Sequence, residues 1–252
     1  MQDIYKRQIE ALFRDCINRT IERLDNIDTH RPFHAALLSP EALFWSRFER
    51  SFSTSFGQVV IEKVSKIAAI AGGATQVTTQ KQTHFKLRES QVTKIESHLA
   101  NLRSGTRNAP PKWDDDLKLI RSVPASGPEH DVRVVSDLFW VKDDINHYMS
   151  IKTVKPNIDQ TAEAKRDLLK LKLNDPNCAV FYGLYYNPYG ENKLQYAWSP
   201  PKGIFNFQTD QVVLIGREYW DTIGGTGTYD TVLEISNSCG EETRAQVGRL
   251  SF

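Results

Sequence analysis

Asp137, Ser150 and Lys152 have the types and the spacing for metal-assisted hydrolysis of a phosphodiester. The runs VRVVSDLFWVKDD and INHYMSIKTV both read as strands, and they meet at Asp143-Asp144, which predicts a hairpin. Side chains two apart on a strand share a face, so Ser150 and Lys152 project together, and hairpin pairing can bring Asp137 alongside them. A carboxylate holds a hard cation. A lysine positions an attacking water and offsets the negative charge that develops, and one further oxygen helps to fix the metal.

Other elements must frame this hairpin. Ile4, Ile9, Leu12, Phe13, Cys16 and Ile17 recur at helical spacing. A second helix is expected from about Pro40 to Ala71, ended by Gly72-Gly73, and a third from His84 to Leu102. SGTRNAPPKWDDD has the composition of a loop. After the hairpin, TAEAKRDLLKLK reads as a short amphipathic helix, NCAVFYGLYY as a buried strand and QVVLIG as another strand. REYWDTI and the tail from Tyr229 read as helices. The order predicts an α/β or α+β sandwich in a single domain, with 1–112 mainly a helical elaboration and 130–222 the catalytic core.

Bulk composition narrows the class. Of 252 residues, 40% are hydrophobic and 25% charged, as in a globular protein. No apolar run approaches the roughly 18 residues of a membrane span, and the amphipathic N-terminus has no signal-peptide pattern, so a cytoplasmic protein without membrane attachment is expected. Three distant cysteines, Cys16, Cys178 and Cys239, argue against a disulfide framework or a zinc cluster. Net charge is +1, but residues 61–112 hold nine Lys/Arg (Lys63, Lys66, Lys81, Lys86, Arg88, Lys94, Arg103, Arg107, Lys112) against Glu62, Glu89 and Glu96. Such a stretch either neutralises phosphates or forms a solvated face.

The order Asp137, Ser150-Ile151-Lys152, a helix, then the apolar strand at Ala179 resembles the PD-(D/E)XK nuclease core. S-I-K-T-V-K-P-N-I-D-Q-T with its A-K-rich helix resembles type II restriction endonucleases of the TdeIII-like group, which cut at GGNCC. Upstream, S-T-S-F-G-Q-V-V-I-E-K is similar to the T-x-F-G-x-x-x-x-E-K segment of related enzymes for GGNCC-containing sites, and R-E-Y-W at 217–220 is similar too. Loosely, the likeness covers residues 50–66 and 135–222. It implies a mixed sheet flanked by helices with a helical N-terminal region. It also implies a homodimer that cuts both strands of double-stranded DNA at a GGNCC-type palindrome with Mg2+.

One position departs from that pattern. Where Ser150 stands the motif commonly has Glu, and serine brings no negative charge. A helix must then supply the second carboxylate, and two donors are open. Glu62 is preferred because Ser51, Ser55, Gln58 and Glu62 form a polar stripe beside the apolar face Phe48, Phe52, Phe56 and Val59. Glu163, one turn into the helix after Lys152, is the alternative. The expected catalytic set is therefore Asp137, Lys152, Glu62 and Ser150, with metal ligands Asp137 and Glu62 or Glu163. Lys155, Asn157 and Gln160 lie past the catalytic strand and can reach bases or phosphates, although Asn157 can equally shape the turn and Asp159 or Thr161 cap the helix. Ser55, Lys81 and Arg88 are further expected DNA contacts. Two rival readings stay open: a structure-directed repair nuclease of the same core, and a DNA-binding module whose nuclease site is dead.

Overall fold

Helix α1 (Asp3–Leu24) buries Ile9, Phe13 and Cys16, the periodic residues of its sequence. In the computed structural model, which describes residues 1–24, 30–105 and 110–250, a short α2 (Pro32–Leu37) follows. Ser39 then caps α3 (Pro40–Ser55) by accepting from the Ala42 amide, with proline in the first turn where its missing N–H costs nothing. A π turn (Phe56–Val60) leads into α4 (Ile61–Ala71), which stops at Gly72.

The helix expected from Pro40 to Ala71 is therefore one rod with a π turn inside it. A π turn adds a residue, which rotates everything after it by roughly 100° relative to an unbroken α-helix. Val59, expected on the apolar face, is consequently 49% exposed, and Val60, Ile61 and Val64 are buried instead. The same rotation breaks the polar stripe and turns Glu62 away from the line of Ser51 and Ser55.

Next come β1 (Gln76–Arg88) and α5 (Glu89–Arg103). The expected helix from His84 therefore starts five residues late, after a strand that was missed. QVTTQKQTHFKLR has a polar, half-exposed pattern, and only pairing along β2 makes it a strand. The expected loop WDDD also gives way, to α6 (Trp113–Arg121). Trp113, Leu117 and Ile120 fall on one buried face, and three aspartates sit in the first turn, where the helix dipole favours them.

Strands β2 (Glu129–Lys142) and β3 (Ile145–Lys152) form the expected hairpin. Asp143 and Asp144 both take positive φ, at 52° and 58°, as a tight two-residue turn demands. Helix α7 (Ile158–Asn174) carries the chain to β4 (Ala179–Leu184). After a 3-10 turn (Lys193–Gln195) come β5 (Val213–Ile215), α8 (Arg217–Gly224) and α9 (Thr228–Val247). The five-stranded sheet has the order β1-β2-β3-β4-β5, antiparallel from β1 to β3 and parallel from β3 to β5. The helical crossover α7 is what a parallel β3–β4 pair requires.

Each sheet face has its own core. Phe139, Tyr148, Val180 and Tyr182 pack against α5, α6 and α7, whereas Leu138, Trp140, Met149 and Ile151 pack against α1, α4, α8 and α9. Buried in the first core lies a charged cluster. Lys165 donates to Asp116 and to the Ile204 carbonyl, over the Phe205 ring, and both Lys165 and Asp116 are fully buried. His98 Nε2 stands 3.1 Å from the other Asp116 oxygen, close enough for ion pairing though poorly aligned as a hydrogen bond.

In the second core, a Cβ on Gly183 would come within 2.7 Å of the Tyr219 ring and 2.8 Å of Met149 Sδ. Gly183→Ala is therefore expected to destabilise the fold by about 1–3 kcal/mol through overpacking, read as a lower urea midpoint. An unchanged midpoint would show that this contact gives way freely.

Candidate active site

The sheet forks at its centre. The β2–β3 ladder runs only from Lys142↔Ile145 to Leu138↔Met149. Beyond it β3 continues with β4 as far as Lys152↔Leu184, and β2 continues with β1. Asp137 and the Ser150-Ile151-Lys152 segment stand at the opening, where ladder bonds between β2 and β3 cease.

The Asp137 side chain fills that opening. Its Oδ2 accepts from the Ile151 amide at 2.7 Å, from Ser150 Oγ at 3.4 Å and from Lys152 Nζ at 3.5 Å. The expected meeting of Asp137, Ser150 and Lys152 is thus what the structure contains. Asp137 and Lys152 are partly buried, with side chains 20% and 24% exposed, so a reacting group can enter while their interaction is only partly screened.

Glu62 joins from α4. Gln80 Nε2 donates to Glu62 Oε1 at 2.9 Å and to Asp137 Oδ1 at 3.2 Å, so one amide bridges the two carboxylates. Burial pushes the Glu62 carboxyl above its ordinary value. The Gln80 hydrogen bond opposes this, Asp137 adds to it, and Lys152 opposes it again. A pair of hard, partly desolvated oxygen donors is the set that suits a small divalent cation, since Mg2+ takes one or two carboxylates and keeps waters. Among the described residues no three His, Cys, Asp or Glu gather as a metal site, so two carboxylates are what this centre offers.

The alternative donor is placed differently. Glu163 is exposed on α7, with no hydrogen bond to Asp137, Ser150 or Lys152 among the described residues. One turn further, Asp167 was overlooked in the sequence. Burial pushes it up to about 6; Lys170 opposes, Glu163 adds, and Arg166 and Lys152 oppose.

The expected DNA contacts scatter. Asn157 caps α7, its Oδ1 accepting from the Gln160 amide at 2.8 Å, whereas Asp159 and Thr161, the caps expected from sequence, lie inside the helix. Gln160 itself is exposed beside it. Lys155 Nζ lies over the Tyr189 and Trp198 rings, and Lys81 Nζ over the Phe139 ring. Arg88 pairs with Glu129. Ser55 accepts from Arg23 and lines one cleft with Arg23, Arg31, Arg47 and Arg50. Of the basic stretch, Arg107 lies outside the described residues.

Two residues that matter here were not candidate site residues in the sequence. Gln80 sits in a polar run with nothing to mark it. Tyr219, in the R-E-Y-W segment, is a fully buried support: its hydroxyl meets Ser65 Oγ at 2.6 Å and its ring packs beneath Gly183. Trp220 beside it donates to the Tyr185 carbonyl. Arg217 pairs with Asp230 over the Tyr229 ring.

Three type II restriction enzymes of Herpetosiphon aurantiacus resemble the chain. HgiEI is 28% identical over 249 residues, covering 97% of this chain and 89% of that enzyme. HgiCII is 28% and HgiBI 29% identical over 222 residues, each covering 86% of this chain and 80% of the relative. No solved structure gives a significant match. The family described as "Type II restriction endonuclease, HinfI" matches residues 1–240, which include every element of the forked sheet and both carboxylate-bearing elements, and the chain belongs to that family.

Proposed function

We propose that this chain hydrolyses phosphodiester bonds of double-stranded DNA with Mg2+, as a site-specific deoxyribonuclease. It acts as a homodimer at a GGNCC-type palindrome, each subunit cutting one strand. One observation carries the chemistry: Glu62, Asp137 and Lys152 converge where β2 and β3 part. Glu62 and Asp137 would hold the metal. Bound there, Mg2+ would act as a Lewis acid on the phosphoryl oxygens and lower the pKa of a coordinated water. The Lys152 ammonium orients the attacking water and offsets negative charge on the oxygens of the pentacoordinate phosphorus. The Ile151 amide and Ser150 hydroxyl fix the Asp137 carboxylate, leaving Ser150 no need to act as an acid.

The twofold arrangement rests on the symmetry of a palindrome, and the GGNCC target on the likeness of the segments around Ser55 and Lys152 to enzymes for such sites. The arginine-lined cleft at Ser55 lies on the same helical rod as Glu62, where it can take backbone phosphate. Digesting a sequenced plasmid with Mg2+ and mapping the ends is the direct test. Discrete fragments ending in a GGNCC-type palindrome are expected. Ends at an unrelated sequence would overturn the specificity alone, cutting only at branches would favour a repair nuclease, and tight binding without cleavage would indicate a dead site.

Glu62→Gln keeps the side-chain shape and removes the charge. It is expected to lower turnover about a hundredfold, about 2.7 kcal/mol of barrier, and to raise the Mg2+ concentration required. Glu163→Gln, away from the Gln80-bridged pair, is expected to be much milder. The reverse order of effects in single-turnover assays would move the metal site to α7.

A further inference from the structure

Midway along β1, Gln80 has φ +52°, a left-handed conformation that a long unbranched side chain rarely adopts outside a turn. Gln80 is not in a turn. The β1–β2 ladder holds the same register on either side, Thr79↔Leu138 and Lys81↔Ser136, and only the rung between Gln80 and Asp137 is absent. Both strands change faces there. Phe85, Leu87, Val132 and Val134 pack in the first core, whereas Val77, Leu138 and Trp140, on the same side by the two-residue period, pack in the second. Such backbone strain costs about 1 kcal/mol or more and is retained where the surroundings demand it.

What the kink achieves is the placement of one carboxamide between two carboxylates that would otherwise repel. Its Nε2 lies 2.9 Å from Glu62 and 3.2 Å from Asp137. We infer that Gln80 is a ligand-set member of the metal centre: its amide spaces Glu62 and Asp137 before a cation binds, and its Oε1 serves as an oxygen ligand afterwards. The inference rests on the proposed two-carboxylate site and extends it. A carboxamide can do both jobs because it carries two N–H donors and a carbonyl oxygen, exchanged by rotation about a soft terminal torsion. Carboxamide oxygens are ordinary ligands of hard cations. Here such an oxygen would add a neutral ligand beside the Glu62 and Asp137 carboxylates.

Binding of Mn2+ alone, without DNA, tests this by calorimetry on the full chain, with wild type, Gln80→Ala, Gln80→Gly, Gln80→Glu and Glu62→Gln compared. Gln80→Gly adopts the same φ without strain, so it removes the amide and keeps the backbone. Both Gln80→Ala and Gln80→Gly are expected to weaken Mn2+ binding by about tenfold, with Gln80→Glu at least as tight as wild type, because it restores an oxygen and adds charge. Wild-type affinity in Gln80→Gly would overturn the inference, as would Gln80→Glu binding as weakly as Gln80→Ala. Glu62→Gln separates the two levels. If it weakens binding while the Gln80 variants do not, Gln80 alone is misassigned; if it binds like wild type, the two-carboxylate site has failed with it.

Discussion

Lys152→Ala will stop strand cleavage while leaving the protein folded and able to bind its DNA. The loss in single-turnover rate is expected to reach at least about a thousandfold, about 4 kcal/mol of barrier, because among the described residues no other cation is bonded to Asp137. The remaining bonds to Asp137, from the Ile151 and Ser150 groups and from Gln80, do not involve Lys152, so the fork and its carboxylates should persist. Specific DNA affinity, measured with Ca2+ in place of Mg2+, should stay within about tenfold, roughly 1.4 kcal/mol. Near-normal cutting by this variant would remove Lys152 from the chemistry and leave Asp137 without its partner in catalysis.

Lys165→Met should be equally severe on a different axis, lowering folding stability by about 3–5 kcal/mol while leaving the forked centre untouched. The ammonium it removes is fully buried and bonded to Asp116 and the Ile204 carbonyl, so its loss strands a buried carboxylate. Burial by itself pushes the Asp116 carboxyl up; contact with His98 and the Lys165 charge overturn that and hold it down at about 2. A carboxyl depressed on folding contributes stability that is fully present above its unfolded value of 3.8 and lost as pH falls through about 2. The shift corresponds to about 2 kcal/mol. Without Lys165 the depression shrinks, so the stability gap between wild type and variant should narrow as pH drops from about 5 to about 2. Urea melts across that range measure it, and a gap that stays constant would mean that Asp116 is not held ionised by Lys165.

The residues themselves determined the hairpin that carries Asp137, Ser150 and Lys152. Two β-like runs, a two-aspartate turn and the spacing of Ser150 and Lys152 are local facts, and local period and turn chemistry are enough to place Asp137 opposite them. The amphipathic α1, α7 crossover and buried β4 were legible for the same reason. Strand β1 and helix α6 were not. A polar, alternating run becomes a strand only because β2 supplies its ladder, and the acidic WDDD turn becomes helical because its apolar face finds a core that distant segments build. Glu62 could be nominated from sequence but on a mistaken wheel: the π turn at Phe56–Val60, invisible in composition, re-aims it. Gln80 could not be nominated at all. Its role depends on a positive φ and on two carboxylates, 18 and 57 residues away, that meet only once the sheet is folded. Short-range periodicity fixes which atoms each element carries; the convergence of charges from separate elements is decided by packing, which no local pattern encodes.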